Sequence, residues 1–220
     1  GTITVTNCYS SGVISGKDAG GIIGETANYD SKTGSEIVIT NCYSSGKITT
    51  TYGGGIFGEY ANKDSSGKIA VTNCNSTGQI SGSNAGGFFG RYANYDSKPG
   101  SEIVVTNCYS SGAISGTYAG GIFGVSANKG SEGRITVENC YTYGTINTVT
   151  RGIYGAFKQS GAADPVQCYV ANGEWHDSGE NDQTEAIYQS AENAELSIEY
   201  RYDGDNEPKT VFVNPEVNDM

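Results

Sequence analysis

The chain has 220 residues, with 33 Gly and 4 Pro, and 13 Lys plus Arg against 24 Asp plus Glu give a formal net charge of −11. A surface this acidic repels nucleic-acid phosphates and anionic lipid headgroups, which excludes nucleic-acid binding in the absence of a basic patch. No apolar run reaches the roughly 18 residues that span a bilayer, so no membrane insertion is expected. Because Gly1 already lies inside a patterned segment, we expect the chain to be part of a longer protein.

A repeated unit dominates the sequence. The dipeptide Asn-Cys recurs five times, at spacings of 34, 32, 34 and 32 residues. The alternation indicates duplication in pairs, since residues 27–46 and 93–112 are nearly identical. Self-similarity at a fixed period of this length is typical of an architecture in which each unit packs on the next.

Each unit is predicted to contain three short strands and a polar loop. In the first unit, residues 3–6 alternate apolar and hydroxyl side chains, which is typical of a strand with one buried face. A turn is predicted at 10–12, a second strand around Ile14, a third strand over 20–24, and a polar loop over 28–35. No stretch within residues 1–155 has helical periodicity.

Strands this short cannot bury an apolar face alone, so the units must stack. Stacking aligns large apolar residues in four columns: Ile3, Ile37, Ile69, Ile103, Ile135; Val5, Ile39, Val71, Val105, Val137; Ile14, Ile48, Ile80, Ile114, Ile146; and Ile22, Ile56, Phe88, Ile122, Ile153. The pattern predicts an all-β fold, a right-handed parallel β-helix, or β-solenoid, of about five to six coils. A propeller is the competing fold, but its blades usually have about 40 to 45 residues and four strands.

Two regions are predicted. Residues 1–155 form the five-coil repeat region, and residues 156–220 form an irregular last coil and a C-terminal cap. The cap is expected to contain a short helix around 184–193 and two strands joined by a turn at 203–205. A cap is needed because an open terminal coil exposes apolar side chains and unpaired strand backbone.

Two columns have a structural interpretation. Stacked thiols point the same way and do not readily adopt disulfide torsions, and no CxxC motif or nearby His indicates a metal site, so we expect free, buried thiols. The side-chain amides of the Asn residues that precede these Cys residues are expected to form hydrogen bonds between coils at a corner of the coil. These structural ladders are Cys8, Cys42, Cys74, Cys108 and Cys140, and Asn7, Asn41, Asn73, Asn107 and Asn139.

Hydroxyl and tyrosine columns are candidates for a binding surface, because exposed Tyr rows can stack on sugar rings or contact a protein. The candidate residues are Tyr9, Tyr43, Tyr109 and Tyr141, with Thr6, Thr40, Thr72 and Thr106. A further column, Ser10, Ser44, Ser76, Ser110 and Thr142, is interpreted as part of a solvated strand face. Asn75 interrupts the Tyr column and Glu138 ends the Thr column.

Residues for catalysis or cofactors are scarce. His176 is the single His, and no nucleophile can be assigned a partner. Loop carboxylates at Asp30, Asp64, Asp96, Glu36 and Glu102 offer too few clustered oxygens per unit for calcium. We therefore predict no catalytic residue, no metal and no cofactor.

The unit IxVxNCYSxGxIxGxxxGGIxG resembles the GLUG motif, whose Gly-Leu-x-Gly core is written here as GGIIG, GGIFG, GGFFG, GGIFG and RGIYG, with Ile or Phe at the Leu position. The resemblance covers residues 1 to about 157. Such repeats occur in bacterial surface proteins, including adhesins resembling filamentous haemagglutinins and the non-catalytic region of immunoglobulin A1-specific metallopeptidases. It implies a β-helix stalk on an extracellular or surface-attached bacterial protein, without peptidase activity because HExxH is absent.

The functional expectation is a monomeric, non-catalytic adhesin or stalk module that presents a rigid β-helix to a glycan or a host-surface protein. Two alternatives stay open. An ice-binding solenoid requires a flat Thr-rich face, and a carbohydrate-active β-helix enzyme requires a carboxylate cluster across coils in a groove.

Overall fold

The computed structural model describes residues 1–143, Ile153 and Gly155, together with three short strands at 169–171, 196–200 and 209–213. Every regular element in this described part is a strand. None of its segments is a helix long and apolar enough to cross a membrane.

Two parallel sheets run along the repeat region. The first contains five strands, one per unit: β1 (Thr2–Thr6), β3 (Glu36–Thr40), β5 (Lys68–Thr72), β7 (Glu102–Thr106) and β9 (Arg134–Glu138). The second contains six shorter strands: β2 (Tyr9–Ser10), β4 (Tyr43–Ser44), β6 (Asn75–Ser76), β8 (Tyr109–Ser110), β10 (Tyr141–Tyr143) and β11 (Tyr169–Ala171). Because consecutive strands of one sheet are a whole repeat apart in sequence, the chain winds once around per unit.

The β-solenoid is thereby confirmed, whereas the coil count is slightly lower than predicted. The described residues make about four complete turns instead of five to six coils, because beyond β10 only Ile153, Gly155 and β11 among them continue the solenoid. The right-handed winding stays a prediction.

The predicted apolar columns are in register. Ile3 pairs with Ile37 and Val5 with Ile39, and the same pairing continues through β9. Parallel bridges join the third column from Ile14 to Ile114, and backbone hydrogen bonds join the fourth from Ile22 to Ile153. Ile146 lies outside the described residues. The predicted third strand reduces to isolated bridges at Gly20 and Ile23, and the predicted turn at 10–12 overlaps strand β2.

A phenyl stack forms an additional core column. Phe57, Phe89 and Phe123 are fully buried, and consecutive ring centroids lie 4.8 Å apart with nearly parallel planes. This spacing equals the rise between stacked parallel strands, so each ring contacts the next across its whole face.

A buried asparagine ladder fixes the polar loop. The Asn28 amide donates to Asn62 Oδ1 at 2.6 Å, Asn62 donates to Asn94 Oδ1 at 2.9 Å, and Asn94 donates to Asn128 Oδ1 at 2.6 Å. All four have positive φ, from 58° to 63°, a conformation that Asn tolerates better than most residues. The ladder therefore satisfies buried amides while it turns the chain on every coil.

The Asn of each Asn-Cys pair acts mainly through its backbone. Asn7, Asn41, Asn73, Asn107 and Asn139 all have φ between 50° and 55°. Along this column the structure gives one side-chain bond between coils, from Asn107 to Asn73 at 3.3 Å. The left-handed corner turns the chain so that the following Cys points into the core.

The thiols are free, as predicted, and four of the five are buried. Buried members hydrogen-bond to backbone carbonyls, as in Cys108 Sγ to Thr106 O at 3.2 Å. Cys8 is exposed, so its predicted burial is wrong: it belongs to the first coil, whose outer side carries no further coil among the described residues.

The Ser column was expected on a solvated face, and this interpretation is wrong. Ser44, Ser76, Ser110 and Thr142 are buried, and their hydroxyls have no hydrogen-bond partner within the described part. After the left-handed Asn, both the Cys and the residue two positions later point inward. The inward hydroxyls lie against glycine: a Cβ on Gly87 would lie 2.5 Å from Ser110 Oγ and would also collide with the Gly121 carbonyl.

An ion-pair column lies on the first sheet. Glu102 is 8% exposed and is held at 2.9 Å by Lys68 Nζ and at 2.5 Å by Arg134 Nη2. The hydrogen bond from Lys68 is the main reason that the pKa of Glu102 lies below its usual value, although burial opposes it.

The C-terminal segment is described only in part. β12 (Leu196–Tyr200) and β13 (Lys209–Val213) pair antiparallel, as predicted for the two strands of the cap. The predicted helix at 184–193 and Cys168 lie outside the described residues, and the boundary at 155/156 stays a prediction.

Candidate functional site

Two facing columns break the repeat chemically. Positions 18, 52, 84 and 118 are Asp, Tyr, Asn and Tyr, whereas positions 25, 59, 91 and 125 are Glu, Glu, Arg and Val. The columns are neighbours, since the Glu59 amide donates to the Asp18 carbonyl at 3.0 Å and the Arg91 amide donates to the Tyr52 carbonyl at 3.1 Å. This pair of columns therefore carries different charges from coil to coil.

Three carboxylates meet at the first two coils. One oxygen from each of Asp18, Glu25 and Glu59 lies within 4.8 Å of the others. Asp18 is 7% exposed and Glu59 is 4% exposed, whereas Glu25 is exposed to solvent. We call this group the carboxylate trio.

The trio is poorly compensated by nearby cations. Lys17 Nζ lies 3.7 Å from Asp18 Oδ2, and Arg91 Nε lies 3.7 Å from Glu59 Oε1. The pKa of Glu59 is raised to about 7, mainly by burial and in addition by the nearby Asp18 carboxylate, whereas Arg91 only partly opposes this. The two acids therefore lie too close together and too deep for both to ionise at low cost.

A cluster of tyrosines and cations lies on the adjoining surface. The Tyr60 and Tyr92 rings stack with centroids 5.5 Å apart, and the Tyr95 ring lies 4.6 Å from Tyr92. Lys63 Nζ lies 4.7 Å from the Tyr60 centroid and 5.7 Å from that of Tyr95. We call this surface the tyrosine–cation face; its members are Tyr29, Tyr52, Tyr60, Lys63, Arg91, Tyr92, Tyr95 and Lys129.

Arg91 connects the face to the trio. Its guanidinium carbon lies 4.0 Å from the Tyr92 centroid and 4.5 Å from that of Tyr52, while its Nε approaches Glu59. Cation–π contacts at this distance hold the guanidinium over the rings. The carboxylate trio and the tyrosine–cation face are thus contiguous.

The structure places the sequence-predicted surface elsewhere. The Tyr row aligns in the second sheet, but Tyr9 is exposed, Tyr43 and Tyr109 are half-buried and Tyr141 is only 5% exposed. The Thr row aligns in the first sheet: Thr6 is exposed, and Thr40, Thr72 and Thr106 are half-buried. Beside it lies a column of mixed Thr, Val and Ala rather than a second Thr rank.

The sequence places Tyr29, Tyr60, Tyr92 and Tyr95 near the polar loop, but sequence analysis did not select them for the candidate surface and did not identify the trio. The available signal was the difference between otherwise matching units, since Asp18 and Tyr52, or Glu59 and Arg91, occupy equivalent positions. No protein-family model, curated protein or solved structure matches the chain. The resemblance to GLUG repeats therefore stays a prediction.

Proposed function

We propose that the chain is a non-catalytic adhesin or stalk module, a rigid β-solenoid that presents the tyrosine–cation face to a glycan. The observation that carries the proposal is the row of partly exposed, stacked tyrosine rings on the side of a register-locked rod. The bacterial cell-surface setting rests on the resemblance of the unit to GLUG repeats.

Rigidity is supported by the continuity of the ladders. Apolar columns connect each described coil to the next, the amide ladder joins the first four coils, and the phenyl stack joins the second coil to the fourth. Slipping one coil against its neighbour would break all of these at once, so the side chains on the outer faces keep fixed spacings. A fixed spacing lowers the ordering cost when several side chains bind one extended ligand.

Two of the tyrosines lie at turn positions where the turn itself does not require a tyrosine. Tyr60 and Tyr92 have φ of 62° and 60°, where the equivalent residues of the other coils are Thr26 and Ser126. A bulky side chain is disfavoured in this backbone region, and Asn or Gly would adopt it at lower cost. Strain of this kind supports a functional role for the ring.

The composition of the face favours a glycan. Tyr rings offer flat apolar faces and a hydroxyl, and the neighbouring Lys and Asp side chains offer donors and acceptors for sugar hydroxyls. Asp30, Asp64 and Asp96 lie one residue beyond the Tyr29, Lys63 and Tyr95 column. This mixture of rings and hydrogen-bonding groups matches the amphipathic surface of a sugar chain.

The carboxylate trio partly meets the expectation for a carbohydrate-active enzyme, since it is a cluster across coils. However, Asp18 and Glu59 are more than nine-tenths buried, and a general acid or base must reach the substrate directly or through one water. Only Glu25 is accessible, so the burial favours a non-catalytic role for the group.

A glycan array with the purified protein tests the proposal. We expect the wild-type protein to bind one or more glycans on the array, and we expect the affinity to fall about tenfold in Tyr92→Ala and in Tyr29→Ala. Tyr29 is 51% exposed, so its variant tests the surface without threatening the fold. The matched control is Tyr109→Ala, a half-buried tyrosine of the second sheet. Retention of no glycan, or equal binding by wild type and both face variants, would contradict the proposal.

A further inference from the structure

The carboxylate trio contains oxygens that lack the partners buried charges require. Asp18 Oδ1 and Glu59 Oε1 are inaccessible to solvent and accept no hydrogen bond from any described residue. The nearest cations, Lys17 and Arg91, are at 3.7 Å, and the Lys17 side chain is 81% exposed. An ionised carboxylate at this depth is costly unless it is paired or coordinates a metal.

The three carboxylates converge on one small space. Asp18 and Glu59 come from successive coils, and the Glu25 carboxylate closes the group from the solvent side. Buried polar atoms in native structures almost always have a partner, and one that lacks it within the chain calls for an ion or water. The geometry therefore indicates a positively charged occupant between the three carboxylates.

The spacing and donor type identify the class of ion. Carboxylate oxygens are hard ligands, which favours Ca²⁺ or Mg²⁺ over thiophilic metals. Oxygens on opposite sides of Ca²⁺ lie about 4.6–5.2 Å apart, whereas around Mg²⁺ they lie about 4.0–4.2 Å apart. The three oxygens lie within 4.8 Å of one another, a spread that the larger and more flexible ligand shell of Ca²⁺ accommodates.

We propose that Asp18, Glu25 and Glu59 form a Ca²⁺ site that joins the first and second coils. The exposed Glu25 provides an entry side, where water completes the six to eight oxygen ligands of Ca²⁺. Because Glu59 belongs to the second coil and the other two ligands to the first, the ion stabilises the stacking of these coils. This inference is independent of glycan binding.

A proton shared between Asp18 and Glu59 is the competing explanation. Burial and the Asp18 charge raise the pKa of Glu59 to about 7, so one proton could hold the pair together without metal. A shared proton requires neither Glu25 nor a divalent ion, which separates the two explanations by experiment.

The probe is CaCl₂ added to the whole, chelator-treated protein above the pKa of Glu59, followed by calorimetric titration and thermal unfolding. We expect one Ca²⁺ per chain with a Kd of about 0.1–1 mM, the range of extracellular calcium modules. At about ten times Kd the Tm should rise by about 3–5 °C. Tb³⁺, excited through tyrosine, gives an independent readout, because Tyr52 and Tyr92 adjoin the trio through Arg91.

Three variants decide the assignment. Glu25→Gln and Glu59→Gln should weaken Ca²⁺ and Tb³⁺ binding about tenfold or more, whereas Glu132→Gln, which removes an exposed carboxylate elsewhere, should leave it unchanged. Because Glu25 is exposed, its variant should fold even if Glu59→Gln does not. Absence of a wild-type Ca²⁺ response at about 10 mM, well above the weakest such modules, would overturn the proposal. So would an unchanged response in Glu25→Gln.

Discussion

The buried asparagine ladder should contribute more to stability than any other polar feature of the described coils, and Asn94→Ala tests this. Asn94 Oδ1 accepts from Asn62 at 2.9 Å and from Ser101 Oγ at 2.5 Å. Its amide donates to Asn128 Oδ1 at 2.6 Å and to Ser131 Oγ at 3.2 Å. Truncation to Ala removes these four bonds, and a longer one at 3.5 Å to the Arg134 carbonyl, from a fully buried position.

The magnitude follows from the groups that lose partners. Asn62 keeps the Ser101 hydroxyl and the Gly67 carbonyl, but Asn128 Oδ1 loses its donor from Asn94 and the Ser101 hydroxyl loses its acceptor. A buried polar group left unsatisfied costs about 1–3 kcal/mol. Placing Ala at positive φ adds about 1 kcal/mol. We expect the free energy of unfolding to fall by about 3–5 kcal/mol.

Asn107→Ala is the matched control, because Asn107 also has positive φ, at 53°, but is only half-buried and has one long amide bond, to Asn73. The difference between the free energies of unfolding of the two variants measures the contribution of the ladder hydrogen bonds. It should be about 2–3 kcal/mol, or about 5–10 °C in Tm. Equilibrium urea unfolding followed by circular dichroism gives the free energies. Equal destabilisation of both variants would refute the claim that the ladder hydrogen bonds, rather than the turn conformation, are responsible.

Three further predictions concern packing, charge and thiol chemistry. Gly87→Ala should lower the free energy of unfolding by about 1–3 kcal/mol, because its Cβ collides with Gly121 O and lies against Ser110 Oγ. The control is Gly24→Ala, whose Cβ faces open space and which should change that free energy by less than about 0.5 kcal/mol in the same urea titration. Because the pKa of Glu102 is lowered in the folded state, its ion pairs stabilise the fold above the usual pKa of 4.5, and this stabilisation is lost as the pH falls below that value. Glu102→Gln should therefore flatten the acid limb of a plot of Tm against pH. An unchanged limb would argue against the ion pairs. Iodoacetamide should modify Cys8 rapidly and Cys108 only on unfolding, since burial raises the pKa of Cys108 well above its usual range; peptide mapping that found equal rates would show the core to be open.

The apolar columns could be predicted from the sequence because stacked coils place similar residues at equivalent positions. Ile3, Ile37 and Ile69 fill equivalent sites, and a parallel ladder requires equivalent residues to face one another once the apolar face must be buried. Matching units thus determine both register and inward direction for the long strands. The coil count was less certain, because it depends on where the pattern decays near Ile153.

Side-chain direction at corners could not be read from periodicity. The rule of alternating faces holds along an extended strand, but Asn41 adopts a left-handed conformation and resets the alternation, so that Cys42 and Ser44 both point inward. A Ser near a turn is ordinarily interpreted as solvated, which is why the buried hydroxyl column was missed. The Asn62 ladder was missed for a related reason: a loop of polar residues gives no sign of which amide is buried.

The candidate site required a different comparison, between units rather than within one. Charge also alternates along the column Glu36, Lys68, Glu102 and Arg134, where Glu102 forms close ion pairs with Lys68 and Arg134, so alternation of charge alone does not indicate a ligand. Positions 18, 84 and 118 share a left-handed backbone conformation, yet they are Asp, Asn and Tyr, and positions 59 and 91 are Glu and Arg. At positions 18, 25 and 59, in contrast, carboxylates gather with no cation closer than 3.7 Å, and this excess of negative charge points to a ligand. The first two coils are therefore the place to seek an ion, and the tyrosine–cation face beside them is the place to seek a glycan.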